Sequence, residues 1–248
     1  MESLILIFSA FITSSISAVL GMGGGIILLG IMAILIPEGY MVIALHGIIQ
    51  LFSNTTRTFV FRNYLQTKLI KDFLFGAIGG LIFSGLIIYL LIMSFEVQSA
   101  KDLKVDFLKP VIGGFIIWYL YLKGPKVKKE VSSFTKVGLI SGFSSIFVGA
   151  TGPLIAPFFI NDNLTKENII ANKAACQMIS HLGKIPLFIY FFNMDYFAKT
   201  NVLLPLIIAV FIGTNLGKNI LAFIPETLFK RIFKILLTII AVRLIFLF

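Results

Sequence analysis

Two runs of polar residues recur in an otherwise apolar chain. His46, Gln50, Ser53, Asn54 and Arg57 are answered by Lys173, Gln177, Ser180, His181 and Lys184, at a constant offset of 127 residues. Within each run the spacing is about one helical turn, which places the members on one face of a helix. Polar groups at membrane depth are costly and need a reason. Hydrogen bonding between helices would account for a single Gln or Ser. A whole stripe that repeats, with a cation one turn beyond its centre, reads instead as a substrate path. A histidine acting as general base at His46 or His181 would make the chain an intramembrane enzyme. That reading is weaker: no acid lies in the apolar segments to orient either ring, and the adjacent Ser180 and His181 point to different parts of the helix surface.

The sign of the charge narrows the substrate. All eleven carboxylates lie in or beside expected loops. Cation transporters and carboxylate proton relays need buried acids, and this chain has none to offer. Inside its apolar segments it holds Arg57, Lys184, His46 and His181, with Gln50, Asn54 and Gln177 as hydrogen-bond donors. An oxyanion suits that set, with the planar Arg57 able to make two-point contact and Lys184 acting as a point charge. Arg57 taken alone could also snorkel to the membrane surface. Proton coupling or gating would fall to His46, Lys173 or His181. Cys176 is the single cysteine, so no internal disulfide or cysteine cluster forms, and neither histidine has metal-type spacing. No metal and no cofactor are expected.

Each stripe is preceded by a glycine-broken apolar segment. Gly21-Met22-Gly23-Gly24-Gly25 is answered by Gly149-Ala150-Thr151-Gly152-Pro153 at an offset of 128. A half-helix starting at Gly24 or Gly25, or near Gly152 and Pro153, would aim backbone N–H groups and the positive end of its dipole at the midplane. The pairs Gly76 and Gly80, Gly138 and Gly142, and Gly213 and Gly217 have the spacing that lets helices approach closely.

Hydrophobic residues make up 58% of the chain and charged ones 13%, far from the balance of soluble domains. An all-α polytopic membrane protein is the class this implies, with the lipid bilayer as its surroundings. Apolar segments fall at about 4–36, 41–60, 73–93 and 107–122, then 134–160, 169–192, 202–223 and 229–248. The chain therefore divides into a first repeat at 1–123, a basic linker at 124–136 and a second repeat at 137–248. Glu2 precedes the first apolar run without a nearby Lys or Arg, and no cleavage site is evident, so a cleaved signal peptide is not expected. The net charge of +10 marks topology rather than nucleic acid, because the basic residues cluster in short loops. If the first segment of each half is re-entrant, the basic loops near 61–72, 123–136, 161–168 and 218–231 share one side. Only Lys101, Lys104, Lys109, Lys199 and Arg243 then lie opposite. If all eight segments cross, the bias disappears. The re-entrant arrangement puts the basic side in the cytoplasm and both termini outside. It leaves three full crossings per half, which makes the two repeats inverted. Trp118, Tyr119 and Tyr121 read as an interfacial aromatic belt.

The motifs GMGGGIILL and GATGPLIAP, each followed by a patterned second segment, HGIIQLFSNTTR and NKAACQMISHLGK, resemble the TauE/SafE group of membrane transporters, the TSUP or sulfite-exporter type, over almost the whole chain. The second glycine motif departs from the fuller glycine run of that group at Ala150, Thr151 and Pro153. The resemblance implies a bacterial or archaeal inner-membrane protein in two repeated halves that moves sulfur-containing anions such as sulfite or sulfoacetate, or other small organic anions. Combined with the stripes, the expectation is an alternating-access carrier rather than an enzyme. Its substrate would sit near the midplane among Gln50, Ser53, Asn54, Arg57, Gln177, Ser180, His181 and Lys184 and the backbone of Gly24, Gly25 and Gly152. An anion channel is the alternative. The expected partner is a small anion, with no nucleic acid; assembly as a homo-oligomer is left open.

Overall fold

The computed structural model describes residues 2–20, 23–102, 114, 117–122, 134–159, 166–220 and a few positions between 235 and 246. Gly21 and Met22, the linker as far as residue 133, and most of the fourth apolar segment of each half lie outside the described residues. The described chain is helical, with no strand among the described residues. Its helices are α1 (Glu2–Leu20), α2 (Gly24–Leu35), α3 (Gly39–Val60), α4 (Thr67–Ser94), α5 (Phe134–Val148), α6 (Gly152–Phe159), α7 (Lys166–Phe192) and α8 (Thr200–Ile220).

Both glycine motifs break the helix that leads into them. Gly23 has φ 101° and Gly149 has φ 75°, a backbone region that side chains with a Cβ avoid. After Gly23 the chain doubles back, and α2 lies against α1. The approach is so close that a Cβ on Gly24 would sit 1.7 Å from the Thr13 carbonyl oxygen. The first apolar segment is therefore two helices separated by a glycine break.

Helix α4 shows why this chain suits lipid. Phe75, Ile82, Phe83, Leu86 and Leu90 are exposed, whereas Gly76, Ala77, Gly80 and Ser84 are buried. The small residues face the neighbouring helix, beside the buried Phe73 and Ile88, the arrangement for close packing without a hydrophobic drive between helices. Thr67–Ser94 and the stretch Phe197–Gly217 are long and apolar enough to cross a membrane, while the apolar helices α1, α2 and α5 are shorter. Helices α3 and α7, with 22 and 27 residues, are long enough to span but have their apolar run interrupted by the two polar stripes.

The flagged glycines sit where backbones meet. On α4, a Cβ at Gly76 would strike Thr135 and one at Gly80 would strike Leu139. In return, Gly138 and Gly142 of α5 lie on the backbone of Phe73 and Ala77. The two helices run in the same direction, and Ser84 Oγ donates to the Phe143 carbonyl at 2.8 Å. Helix α8 packs on α1 in the same manner, with Gly213 and Gly217 on the backbone of Phe11 and Ser15.

Helices α3 and α7, which carry the stripes, pack side by side in opposite directions. Tyr40 at the start of α3 stacks on Phe192 at the end of α7, with ring centroids 6.3 Å apart. Midway, Gly47 faces Lys184. Beyond the end of α3 the Tyr64 carbonyl accepts from Asn168 and Asn172 Nδ2 at 2.9 and 3.1 Å, near the start of α7.

Candidate functional site

Antiparallel packing turns the two stripes toward each other. Arg57, Lys173 and Lys184 are 2%, 0% and 0% exposed, and His46 and His181 are 1% exposed. Against these cations, no carboxylate among the described residues is buried. Arg57 does not snorkel. Its Nη1 donates to the Ser17 carbonyl at 3.1 Å and its Nη2 to Asn54 Oδ1, while Nε has no partner. Asn54 is itself held by a bond from Nδ2 to the Gln50 carbonyl at 2.8 Å. Lys173 lies close enough to Arg57 for their charges to interact, and Lys184 likewise to His46. The Lys184 stem lies over Gly47, where a Cβ would come within 2.4 Å of its Cε, and its Nζ donates to the Gly149 carbonyl at 3.3 Å.

Between the stripes lies a small polar cavity lined by Ser17, Gly23, Gly25, Ile26, His46, Gln50, Arg57, Ala150, Gly152, Gln177 and His181. The N-termini of α2 and α6 meet at it. The first N–H groups of a helix have no partner inside it, and the dipole makes that end positive. Each half contributes the same local device. A Cβ on Gly25 would come 2.9 Å from Gln50 Oε1, and one on Gly152 would come 2.9 Å from Gln177 Nε2. The glycine thus leaves room for a glutamine head beside a helix N-terminus. His46 Nε2 lies 2.7 Å from the Gly25 carbonyl oxygen. A carbonyl only accepts, so this nitrogen carries the hydrogen. His181 stands edge-on to His46 with ring centroids 6.0 Å apart, and neither of its ring nitrogens has a partner.

The ten stripe residues are all buried, but they do not all meet the cavity. Gln50, Arg57, Gln177, His181, His46, Gly25 and Gly152 line it. Asn54 holds Arg57 in place. Ser180 points at α5, where its hydroxyl pairs with Ser141 Oγ at 2.9 Å. Ser53 Oγ is buried without a partner and lies off the lining. Gly24 is turned to α1, and Lys173 and Lys184 stand behind the lining. Ser17, Gly23, Ile26 and Ala150 belong to the cavity and escaped sequence reasoning as site residues. A signal was present for Ser17: Ser14 and Ser17 are echoed by Ser141 and Ser144 at the stripe offset of 127.

The family model described as Sulfite exporter TauE/SafE matches residues 6–244. The chain belongs to the TauE/SafE family. It is thus placed in a family of membrane transporters of the sulfite-exporter type. No curated protein and no solved structure matches the chain. The TauE/SafE match spans both glycine motifs and both stripes, so everything that lines the cavity falls within it.

Proposed function

We propose that this TauE/SafE protein is a carrier for a small oxyanion, a sulfite or sulfonate, that binds in the cavity between α3 and α7. The observation that carries this reading is the pair of buried cations Arg57 and Lys184, set beside two helix N-termini with no buried acid among the described residues. Two buried cations with no carboxylate among the described residues beside them call for an anion. Gln50, Gln177, His181, Arg57 Nε and the N–H groups at the starts of α2 and α6 supply its hydrogen bonds. Lys173 and Lys184 supply charge from behind.

The pairing of helices supports two inverted repeats. Exchanging the first half for the second turns the α1–α8 pair into the α5–α4 pair and leaves α3–α7 unchanged. If every apolar segment crossed, α3 and α7 would run parallel; their antiparallel packing agrees with re-entrant first segments. Rocking of one repeat against the other then exposes the cavity to each side in turn, with the basic loops cytoplasmic and both termini outside.

The test is thermal unfolding of the purified protein with sulfite, thiosulfate, sulfoacetate, acetate or phosphate, repeated for Arg57→Ala. A ligand that binds the folded state alone raises the melting temperature. Stabilisation by a sulfur oxyanion that is lost in the variant supports the reading. A folded protein that responds to none of these anions overturns it.

A further inference from the structure

Given a small anion in this cavity, as proposed above, we infer that His46 Nδ1 is the proton site of the carrier: one proton adds there with each anion that enters, and leaves when the anion leaves. The hydrogen on Nε2 is committed to the Gly25 carbonyl. Nδ1 of the neutral ring therefore carries a lone pair, and it is buried with no partner. The Gly149 carbonyl also faces the ring, outside hydrogen-bonding geometry for Nδ1. A bare lone pair turned toward a carbonyl oxygen is the wrong group for that place. A proton on Nδ1 converts it into a donor for an oxyanion in the cavity that the ring lines. His46 would then join the two glycine breaks, with Gly25 of the first on one nitrogen and Gly149 of the second beside the other.

Charge supplies the coupling. The titratable groups that face the ring are Lys184 and His181, both from α7. Arg57 of α3 and Lys173 of α7 lie further along the shared face. Helix α2 has no titratable side chain, and α8 has none before Lys218. Without an anion, a proton on Nδ1 adds positive charge beside Lys184, where no carboxylate among the described residues is buried. A bound anion reverses that balance, and the proton comes from solvent as the anion arrives. One anion and one proton then move as a neutral pair, which lowers the cost of carrying the anion across the bilayer. His181 has both nitrogens unpartnered, so neither tautomer is fixed by the protein, and the neutral ring donates from the nitrogen that bears its hydrogen and faces the anion.

Isothermal titration calorimetry of the purified protein with methanesulfonate, which holds no proton near neutral pH, reads proton uptake directly. The titration is repeated in two buffers of different ionisation enthalpy. The expected result is a difference in heat corresponding to about one proton absorbed per anion bound, and tenfold tighter binding for each unit of pH lowered while the ring is neutral. His46→Gln keeps an amide N–H for Gly25 and should bind with buffer-independent heat, while His181→Gln should bind more weakly and still take up the proton. Binding by the natural protein with no buffer dependence overturns the inference and leaves the anion site standing. Proton uptake that persists in His46→Gln also overturns it. Absence of binding by every anion overturns the site itself. If His46→Gln fails to fold, buffer-independent heat from the natural protein still overturns the inference, and so does loss of the proton uptake in His181→Gln.

Discussion

Adjacent glycines in the first motif have different jobs, because their missing Cβ atoms face different neighbours. At Gly24 the neighbour is the Thr13 carbonyl, part of a helix backbone that cannot yield; at Gly25 it is the flexible end of Gln50. Gly24→Ala should therefore cost the folded protein, seen as loss of a monodisperse peak in size-exclusion chromatography. Gly25→Ala should fold, push the Gln50 head from its place and weaken anion binding about tenfold, or ~1.4 kcal/mol, by titration. Equal behaviour of the two would contradict the geometry. Arg57→Ala should weaken binding at least about 30-fold, the ~2 kcal/mol lower end for removing a buried charged partner. The stripe chemistry was legible residue by residue, because the polar groups stood out against an apolar chain. Which members reach the cavity was not. Asn54 and His181 hold equivalent places in the two stripes, yet Asn54 is taken up with Arg57 and His181 opens onto the cavity.

At the scale of elements, the small-residue pairs determine which helices meet. The α4–α5 contact is backbone on backbone, so a methyl at Gly80 would lie 2.1 Å from the Leu139 carbonyl oxygen, whereas Gly79 has nothing within 4 Å. Gly80→Ala is expected to destabilise by about 1–3 kcal/mol, the usual range for overpacking, and lower the melting temperature by several degrees. Gly79→Ala should match the natural protein. A similar melting temperature for both variants would show that the helices are not in such close contact. The spacing of these glycines was readable as a packing signal, but a spacing does not name its partner. That Gly76 and Gly80 meet α5, and Gly213 and Gly217 meet α1, depends on helices far away in the chain.

For the whole molecule, the direction of α3 relative to α7 bears on the topology. With re-entrant first segments, the loop after α4 and the loop after α7 lie on the same side; with every segment crossing they lie on opposite sides. Lys101 and Ala198 are exposed in these two loops, and Cys176 is buried. Lys101→Cys and Ala198→Cys should both react with an impermeant maleimide added to intact cells. Reaction of one alone would restore the fully crossing arrangement. Ser99, although in the same loop as Lys101, is a poor reporter, since it is 2% exposed and its hydroxyl donates to the Phe191 carbonyl.

By itself the sequence determined that this chain is helical and lipid-facing, that it repeats, and that its interior polarity is cationic. Those properties are local: they follow from composition, from the period of a helix, and from which residue types are kept at a constant offset. Only the tertiary structure decided that the two stripes face each other in opposite directions, that two helix starts meet between them, and that Ser180 turns to α5 while His181 turns to the cavity. A helix offers a wide polar face, and which part of it becomes a site depends on the neighbour that covers the rest.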